Sequence, residues 1–296
     1  MDDEEVLAGR FEEHRGHLKA VAYRMLGSLA EAEDAVQETW LKLSRSDAGA
    51  IENLGGWLTT VVGRVCLDML RSRAARREDP MDETFVPDPV IRPLERIDPE
   101  QEVLQADSVG LALLVVLETL EPAERLAFVL HDLFAVPFDD IAPIVERSSA
   151  ATRQLASRAR RRVRGATPSA EPDLGRQRQV VDAFMAAARA GDFEALVAVL
   201  DPDVVLRADS GALVGGAAAS KVVRGARSVA EQALFFRQFA HSMRMVLVNG
   251  EVGILNAPEG RARAVMGVTV ADGRITAVYI LADPERLARL DLDSLD

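Results

Sequence analysis

The sequence of 296 residues is poor in cysteine and in aromatic residues, and it has no long apolar run. A single cysteine, Cys66, excludes an internal disulfide and cannot supply a zinc cluster. No apolar run reaches the ~18–20 residues that a membrane-spanning helix needs. The acidic start at residues 2–5 differs from the basic start of a secretory signal. We therefore expect a soluble, cytoplasmic protein that has no membrane contact and needs no metal or cofactor.

Positive charge is scarce overall but concentrated in two places. The chain has 35 Lys and Arg against 47 Asp and Glu, a net charge of −12, which by itself disfavours binding to nucleic acid. Between Arg147 and Arg164, however, there are seven arginines and neither a lysine nor an acid. A second cluster contains Arg71, Arg73, Arg76 and Arg77. Such patches can bind phosphate locally, although solvated helix ends would look the same.

The pattern along the chain divides it into helical and mixed segments. Residues 1–80 and 107–165 show helical periodicity, and an acidic, proline-rich linker at 81–106 separates them. Gly27 is expected to end the first helix and Ser28 to cap the next. After a second linker at 166–177, residues 178–290 read as two helices followed by strands. Asn249-Gly250 and Asp272-Gly273 predict two hairpins there, because tight hairpin turns need positive φ. The sequence thus predicts two all-α modules and a C-terminal α+β domain.

One predicted helix carries an acidic surface. Val36, Trp40 and Leu43 stand at helical spacing and form its buried stripe. Opposite this stripe are two acids, an amide and a leucine: Asp34, Glu38, Gln37 and Leu41. An acidic patch with an apolar centre suits a protein partner that carries basic helices. An ordinary solvated helix face is the alternative.

A helix-turn-helix is predicted further along. A short helix begins at Phe138, residues 147–149 form a polar turn, and a basic helix follows. On that helix Arg160 and Arg164 each lie within about 20° of Arg153, which makes one face suitable for DNA. Pro143 inside the first helix and Glu146 in the turn are expected to loosen the motif.

These residues resemble a known family. Residues 23–40 (YRMLGSLAEAEDAVQETW) and 57–73 (WLTTVVGRVCLDMLRSR) are similar to region 2 of bacterial sigma factors of the extracytoplasmic-function group. The resemblance implies that the surface of Asp34, Gln37, Glu38 and Leu41 docks on the clamp helices of the RNA polymerase β′ subunit. It also implies that the basic side of the later helix contacts the minus-ten promoter element through Arg64, Arg71, Arg73, Arg76 and Arg77. Many members have Arg-Asn where this chain has Arg64-Val65.

The helix-turn-helix resembles region 4 of the same family, which binds the minus-thirty-five element. The similarity covers residues 120–142 (LEPAERLAFVLHDLFAVPFDDIA) and 153–160 (RQLASRAR). It implies DNA contacts by residues of the turn and the basic helix: Ser148, Ser149, Thr152, Arg153, Ser157, Arg160 and Arg164.

The C-terminal segment resembles the SnoaL-like, NTF2-like α+β cone, over residues 180–206 and 282–287. In sigma factors with this extension, it tunes activity and contacts the linker. Four linker residues, Phe85, Pro87, Asp88 and Pro89, resemble a variant of their linker motif, and we expect this segment to pack on the C-terminal domain. A pocket in that domain would draw its polar residues from Asp209, His241 and Asn249.

The resemblance implies a promoter-recognition subunit of RNA polymerase that is not an enzyme and has no catalytic residues. Its expected partners are core polymerase and promoter DNA, with an unidentified small ligand possible for the C-terminal domain. Two alternatives stay open: a SnoaL-type isomerase or cyclase fused to a DNA-binding module, and a ligand-sensing dimeric repressor.

Overall fold

The computed structural model describes residues 3–47, 49, 51–76, 83–94, 109–166, 171–211, 219–235, 237 and 242–292. The chain forms two compact units. The first comprises residues 1–81 and 116–166, and the second comprises residues 82–115 and 167–296. Within the described ranges, no helix is both long enough and apolar enough to cross a bilayer.

Three helices make up the N-terminal half of the first unit: α1 (Asp3–Leu26), α2 (Leu29–Ser44) and α3 (Leu54–Arg76). Gly27 ends α1 with a φ of 68°, and its amide donates to the carbonyl oxygen four residues earlier. Ser28 caps α2, because its hydroxyl accepts the amide of the third residue on. Both expectations for this corner are confirmed.

The core between these helices is made of fully buried aliphatic side chains. Leu18 and Met25 of α1, Leu43 of α2, and Leu58 and Leu67 of α3 all have no more than 1% of their surface exposed. Burial of each such side chain contributes about 1.5–3 kcal/mol. Since this core takes one face of α2, the other face is left to solvent.

The C-terminal half of the first unit is also helical. It contains α4 (Leu111–Glu118), α5 (Pro122–Phe128), a π-helical turn (Val129–Leu133), α6 (Phe138–Val145) and α7 (Ser149–Ala166). Helix α4 begins in the second unit and ends in the first.

Arg125 of α5 ties the two halves of the first unit together. Its guanidinium donates to the carbonyl oxygen of Met25 at 2.7 Å and lies 2.6 Å from a carboxylate oxygen of Glu118. Arg125 is only 2% exposed, so these bonds lie away from water. A glycine in α3, Gly63, lets Leu126 and Leu130 approach the helix closely. The helices of both halves therefore share one packed interior.

The second unit combines short helices with one mixed sheet. Its helices are α8 (Leu174–Ala190), α9 (Phe193–Val199), α10 (Ala226–Phe235) and α11 (Pro284–Leu287). In the part of the unit that the structure describes, the sheet has seven strands: β1 (Ile91–Arg92), β2 (Leu200–Asp209), β3 (Lys221–Arg224), β4 (Met243–Val248), β5 (Glu251–Asn256), β6 (Ala264–Ala271) and β7 (Arg274–Leu281). The strand order is β1-β4-β5-β6-β7-β2-β3, and among these described strands only the β2–β7 pair is parallel.

The two predicted hairpin turns are confirmed. Asn249 and Gly250, which join β4 to β5, have φ values of 52° and 82°. Asp272 and Gly273, which join β6 to β7, have φ values of 50° and 74°. Positive φ at both central residues matches the right-handed twist of the flanking strands.

Part of the linker predicted at 81–106 belongs to this sheet. Ile91 and Arg92 form β1, which pairs with β4 at the edge of the sheet. Val86 is 1% exposed, and Pro87 and Pro89 are also buried. Because proline cannot donate a backbone hydrogen bond, an edge position before the strand suits these two residues.

The helix-turn-helix keeps its shape despite Pro143 and Glu146. Helix α6 continues through Pro143, and Ile144 and Val145 stay buried. Glu146 adopts a left-handed conformation with φ 56° and ψ 45°, and the amide of Arg147 donates to a carbonyl of α6 at 3.1 Å. The turn thus forms with a residue that has a Cβ where glycine would be unstrained.

We expect Glu146→Gly to stabilise the first unit by about 0.5–1 kcal/mol, because relief of left-handed strain exceeds the extra chain entropy of glycine. Urea unfolding of the full chain, followed by far-ultraviolet circular dichroism, measures the change. Glu146→Ala removes the same charge but keeps the strain, so it should bring no gain. An equal gain from both variants would contradict the strain explanation.

Candidate nucleic-acid and protein interfaces

Helix α2 presents its acidic residues to solvent. Asp34 and Gln37 are exposed, and Leu41 is 43% exposed, which is unusual here for a large apolar side chain. Glu38 is half exposed and lies 3.1 Å from the ammonium of Lys42. We call Asp34, Gln37, Glu38 and Leu41 the α2 surface. It offers an apolar side chain with carboxylates next to it.

The buried side of α2 explains why these residues face outward. Five residues pack inward on the other side of the helix: Ala32, Ala35, Val36, Thr39 and Leu43. Trp40 is partly buried, and its ring lies 5.2 Å from that of Phe11 in α1. Packing of these side chains fixes which face of α2 points to solvent, so the α2 surface lies on a rigid element.

The basic side of α3 is only partly accessible. Arg64 and Arg71 are exposed, and Arg71 lies 4.0 Å from the carboxylate of Asp68. Arg76 is the last residue of α3, and Arg77 lies outside the described residues. Arg64 and Arg71 stand seven residues apart on one helix, which places them on the same side of α3.

Arg73 has protein partners in this structure. Its guanidinium pairs with the carboxylate of Glu31 in α2 and lies 3.9 Å from Glu118 of α4. Glu118 also binds Arg125, so two arginines and two acids form one network. Contact between Arg73 and a phosphate therefore requires exchange of these carboxylates.

Several residues predicted to bind DNA lie on the exposed side of α7. Arg153, Ser157 and Arg164 are exposed. Ser148 caps the helix, accepting the amide of Ala151 at 3.2 Å, which orients the first turn. Ser149 is half buried, and its hydroxyl donates to a carboxylate oxygen of Asp139 at 2.5 Å.

The expectation of a DNA contact by Thr152 is wrong for this structure. Thr152 is fully buried, and its hydroxyl donates to the carbonyl oxygen of Ser148 at 3.0 Å. One turn after the cap, this position lies on the buried side of α7 rather than on its exposed side. Thr152 therefore supports the turn from inside.

Three arginines of α7 are held by acids of the preceding helices. Arg158 and Arg162 bind the two carboxylate oxygens of Glu124 at 2.7 and 3.0 Å. Arg160 binds Asp132 at 2.5 Å. These three pairs leave four further arginines of the stretch between Arg147 and Arg164 outside them: Arg147, Arg153, Arg161 and Arg164.

Arg153 has a different neighbour. Its guanidinium carbon lies 5.6 Å from the ring centroid of Phe138, at the start of α6. Such a cation–π contact restricts the long side chain without neutralising its charge. The ring of Phe138 therefore orients the side chain of Arg153, and the carboxylate pairs described above do not include this arginine.

In the second unit, Arg286 of α11 holds the linker. Its guanidinium donates to Asp88 at 2.6 Å, to Asp209 at 2.7 Å and to the carbonyl oxygen of Val86 at 2.5 Å. The carboxylate of Asp209 also accepts the amide of Val86 at 3.2 Å, and Arg286 lies 5.1 Å from the ring centroid of Phe85. We call Arg286, Asp88, Asp209 and the Val86 backbone the Arg286 cluster.

Asn249 holds the next part of the linker. Its side-chain oxygen accepts the backbone N–H of Val90 at 2.9 Å, and its backbone N–H donates to the carbonyl oxygen of Val90 at 2.8 Å. The side-chain nitrogen donates to the carbonyl of Val109 at 3.1 Å. One hairpin residue therefore binds the two ends of the segment between 90 and 109.

Asp209 and Asn249 were expected to line a pocket of the C-terminal domain, but the structure places them elsewhere. Both bind the linker, and neither lines the cavity of about 380 Å³ within the domain. His241 lies outside the described residues. Sequence reasoning missed Arg286, because its partners Asp88 and Val86 lie about two hundred residues away and no local pattern marks it.

The described part of the chain holds no group of three or more His, Cys, Asp or Glu side chains placed for a metal ion. Cys66 is buried in α3, and its desolvation raises the pKa of the thiol to about 12. This thiol therefore stays protonated, consistent with a packing role.

Comparison with known families gives three matches along the chain. The profile of sigma-70 region 2 matches residues 10–76, and that of sigma-70 region 4 matches residues 110–163. The profile of the SnoaL-like domain matches residues 181–278.

Relatives cover nearly the whole chain. The chain is 41% identical to the ECF RNA polymerase sigma factor SigJ of Mycobacterium tuberculosis, over 93% of this chain and 91% of that protein. It is 34% identical to the probable ECF RNA polymerase sigma factor SigI of the same species, over 97% of each. The crystal structure of M. tuberculosis SigJ superposes with a TM-score of 0.75 and 37% identity, over 96% of this chain and 99% of that one.

Proposed function

Since the chain belongs to the extracytoplasmic-function sigma factors of RNA polymerase, we propose that the α2 surface is where it docks on core polymerase, at the β′ clamp helices. The family binds core polymerase and promoter DNA, and a sigma factor directs the polymerase to specific promoters. The C-terminal SnoaL-like domain is a regulatory extension of this activity. We place this work in the cytoplasm, where the polymerase is.

The enzyme and repressor alternatives are set aside. Relatives that match this chain over more than nine tenths of its length are sigma factors, and their similarity includes the SnoaL-like domain. A sigma factor is not an enzyme, so the domain has no catalytic step to perform. A dimeric repressor would have no use for the region 2 that precedes the helix-turn-helix.

The observation that carries the docking proposal is the exposure of Leu41 beside carboxylates on a rigid helix. Exposed large apolar side chains are rare among the described residues, and Leu41 is one of three. An apolar residue surrounded by acids fits a partner that combines basic side chains with an apolar groove. Burial of Leu41 would supply affinity, and the acids would supply orientation and association rate.

We propose that the two basic sides of the first unit contact the two promoter elements. Arg64 and Arg71, with Arg73, Arg76 and Arg77, would bind the minus-ten element. The exposed residues of α7 would bind the minus-thirty-five element, with Arg153 reading a base and Arg164 binding phosphate. Arg73 and Arg160 would first exchange their carboxylate partners for DNA.

We further propose that the C-terminal domain acts through the linker. The Arg286 cluster and Asn249 hold residues 86–90 against the domain, so the length of free chain between regions 2 and 4 depends on these bonds. A linker shortened in this way would limit the separations of promoter elements that both regions can occupy at once.

The docking proposal predicts that Asp34→Ala combined with Glu38→Ala weakens binding to core polymerase about tenfold or more, because both charges meet the partner at one interface. Binding of the full chain to core polymerase, measured by fluorescence anisotropy, gives the change. Both residues are solvent-facing, so the fold should be intact.

The matched control is Glu5→Ala with Glu13→Ala, which removes two exposed acids from α1 and leaves the α2 surface unchanged. It should bind core polymerase like the natural chain. Equal losses from both double variants would show that net charge, rather than the α2 surface, governs binding.

The promoter proposal distinguishes two arginines of α7. Arg153→Ala should cost ~1–3 kcal/mol and relax selectivity at one position of the minus-thirty-five element. Arg164→Ala should weaken binding similarly on all sequences and lower its salt dependence. Affinities of the polymerase complex for promoters with single substitutions test both. If Arg153→Ala lowers the affinity equally for all promoter sequences, Arg153 does not read a base.

A further inference from the structure

The C-terminal domain contains a cavity that the polymerase and promoter contacts do not use. Its volume is about 380 Å³, within the range of ~300–1,000 Å³ that small-molecule sites occupy. Helices α8 and α10 and strands β2, β3, β6 and β7 contribute lining residues. The cavity lies entirely within the second unit.

Apolar side chains form most of the cavity wall. Phe184, Leu206, Val229 and Val278 each expose no more than 6% of their surface, and Met266 is partly buried beside them. A wall of this kind gains free energy when an apolar group replaces water next to it. The interior therefore favours an apolar body of a ligand.

The polar side chains that line the cavity are cationic or neutral. Lys221, Arg237 and Arg263 contribute positive charge, whereas no Asp or Glu is among the described residues of the lining. The described charged side chains of the lining are thus all positive, whereas the chain as a whole has a net charge of −12. Arg237 and Arg263 are exposed, which places them where the lining meets solvent.

Lys221 is held in place at the wall. Its ammonium donates to the side-chain oxygen of Gln232 at 2.5 Å, and both residues line the cavity. Asn256, another lining residue, is buried, and its side-chain oxygen accepts the hydroxyl of Ser242 at 2.7 Å. These bonds restrict the polar groups, so less conformational entropy is lost when a ligand binds to them.

We propose that this cavity binds a small amphipathic anion, namely a carboxylate or sulfonate with an aromatic or aliphatic body. The apolar body occupies the space between Phe184, Leu206 and Val229. The anionic group binds to Lys221 and to the arginines Arg263 and Arg237. The site is one of binding and not of catalysis, and it stands whether or not the docking proposal is correct.

A pair of fluorescent probes tests the proposal on the full chain. The anion 8-anilinonaphthalene-1-sulfonate and the neutral N-phenyl-1-naphthylamine share the same ring system and differ by the sulfonate. We expect one anionic probe per chain, with an affinity at least about tenfold higher than that of the neutral probe, since charge-assisted bonds to the sulfonate add to apolar burial. Equal affinities for the two probes would overturn the proposal.

Two substitutions locate the site. Arg263→Gln should lower the affinity for the anionic probe about fivefold and change the affinity for the neutral probe less than about twofold. Arg261→Gln is the matched control, because Arg261 is exposed on the same loop and does not line the cavity. If Arg261→Gln weakens the anion as much as Arg263→Gln does, the anion is not bound at this cavity.

Filling the cavity gives an independent readout. Ala233→Phe places a ring into the space next to α10 and should abolish binding of both probes. Near-ultraviolet circular dichroism checks that this variant is folded, and if it is not, the exposed Arg263 and Arg261 variants decide alone. Retained binding in a folded Ala233→Phe would show that the probes bind elsewhere.

Discussion

The bonds between Arg286 and the linker determine how the second unit is built. One guanidinium binds two carboxylates and a backbone carbonyl, and its carboxylate partners Asp88 and Asp209 are both buried. If one charged side chain of the Arg286 cluster is removed, its former partners stay buried without a counter-charge. This typically lowers the free energy of unfolding by about 3–5 kcal/mol. A segment from the middle of the sequence thus completes the domain that ends it. The described linker residues 86–92 are consequently a structural part of the C-terminal domain, which is the basis of the proposal that the extension acts through the linker.

Local charge, rather than net charge, explains how an acidic chain can have a DNA-binding role. The arginines of α7 are concentrated on one helix, but Glu124 and Asp132 hold three of them. Arg73 is similarly engaged by Glu31 and Glu118. DNA bound as proposed at these arginines would compete with these carboxylates, which would lower the affinity for phosphate in general. Correct base contacts, such as the one proposed for Arg153, then contribute a larger share of the binding free energy, and this favours selectivity.

Features set by neighbouring residues could be predicted from the sequence. Gly27, Ser28 and the two hairpin turns follow from local backbone preferences, and the exposure of Asp34 and Leu41 follows from the helical period. Features set by distant residues could not. Strand β1 depends on the free edge of β4, and the Arg286 cluster joins residues far apart in the chain. Thr152 was misassigned because the sequence shows a polar side chain near the turn but not its hydrogen bond to Ser148.

The most direct test of the account concerns the separation of the two promoter elements. Full-length Arg286→Met would be compared with Arg289→Met, an exposed arginine two residues after the end of that helix, in transcription with core polymerase in vitro. The templates would differ only in spacer length, one base pair at a time. We expect Arg286→Met to broaden the range of spacers used and to lower output at the best spacer, whereas core binding and the Arg289→Met profile stay unchanged. A spacer profile for Arg286→Met identical to that of the natural chain would contradict the claim that the C-terminal domain acts by holding the linker.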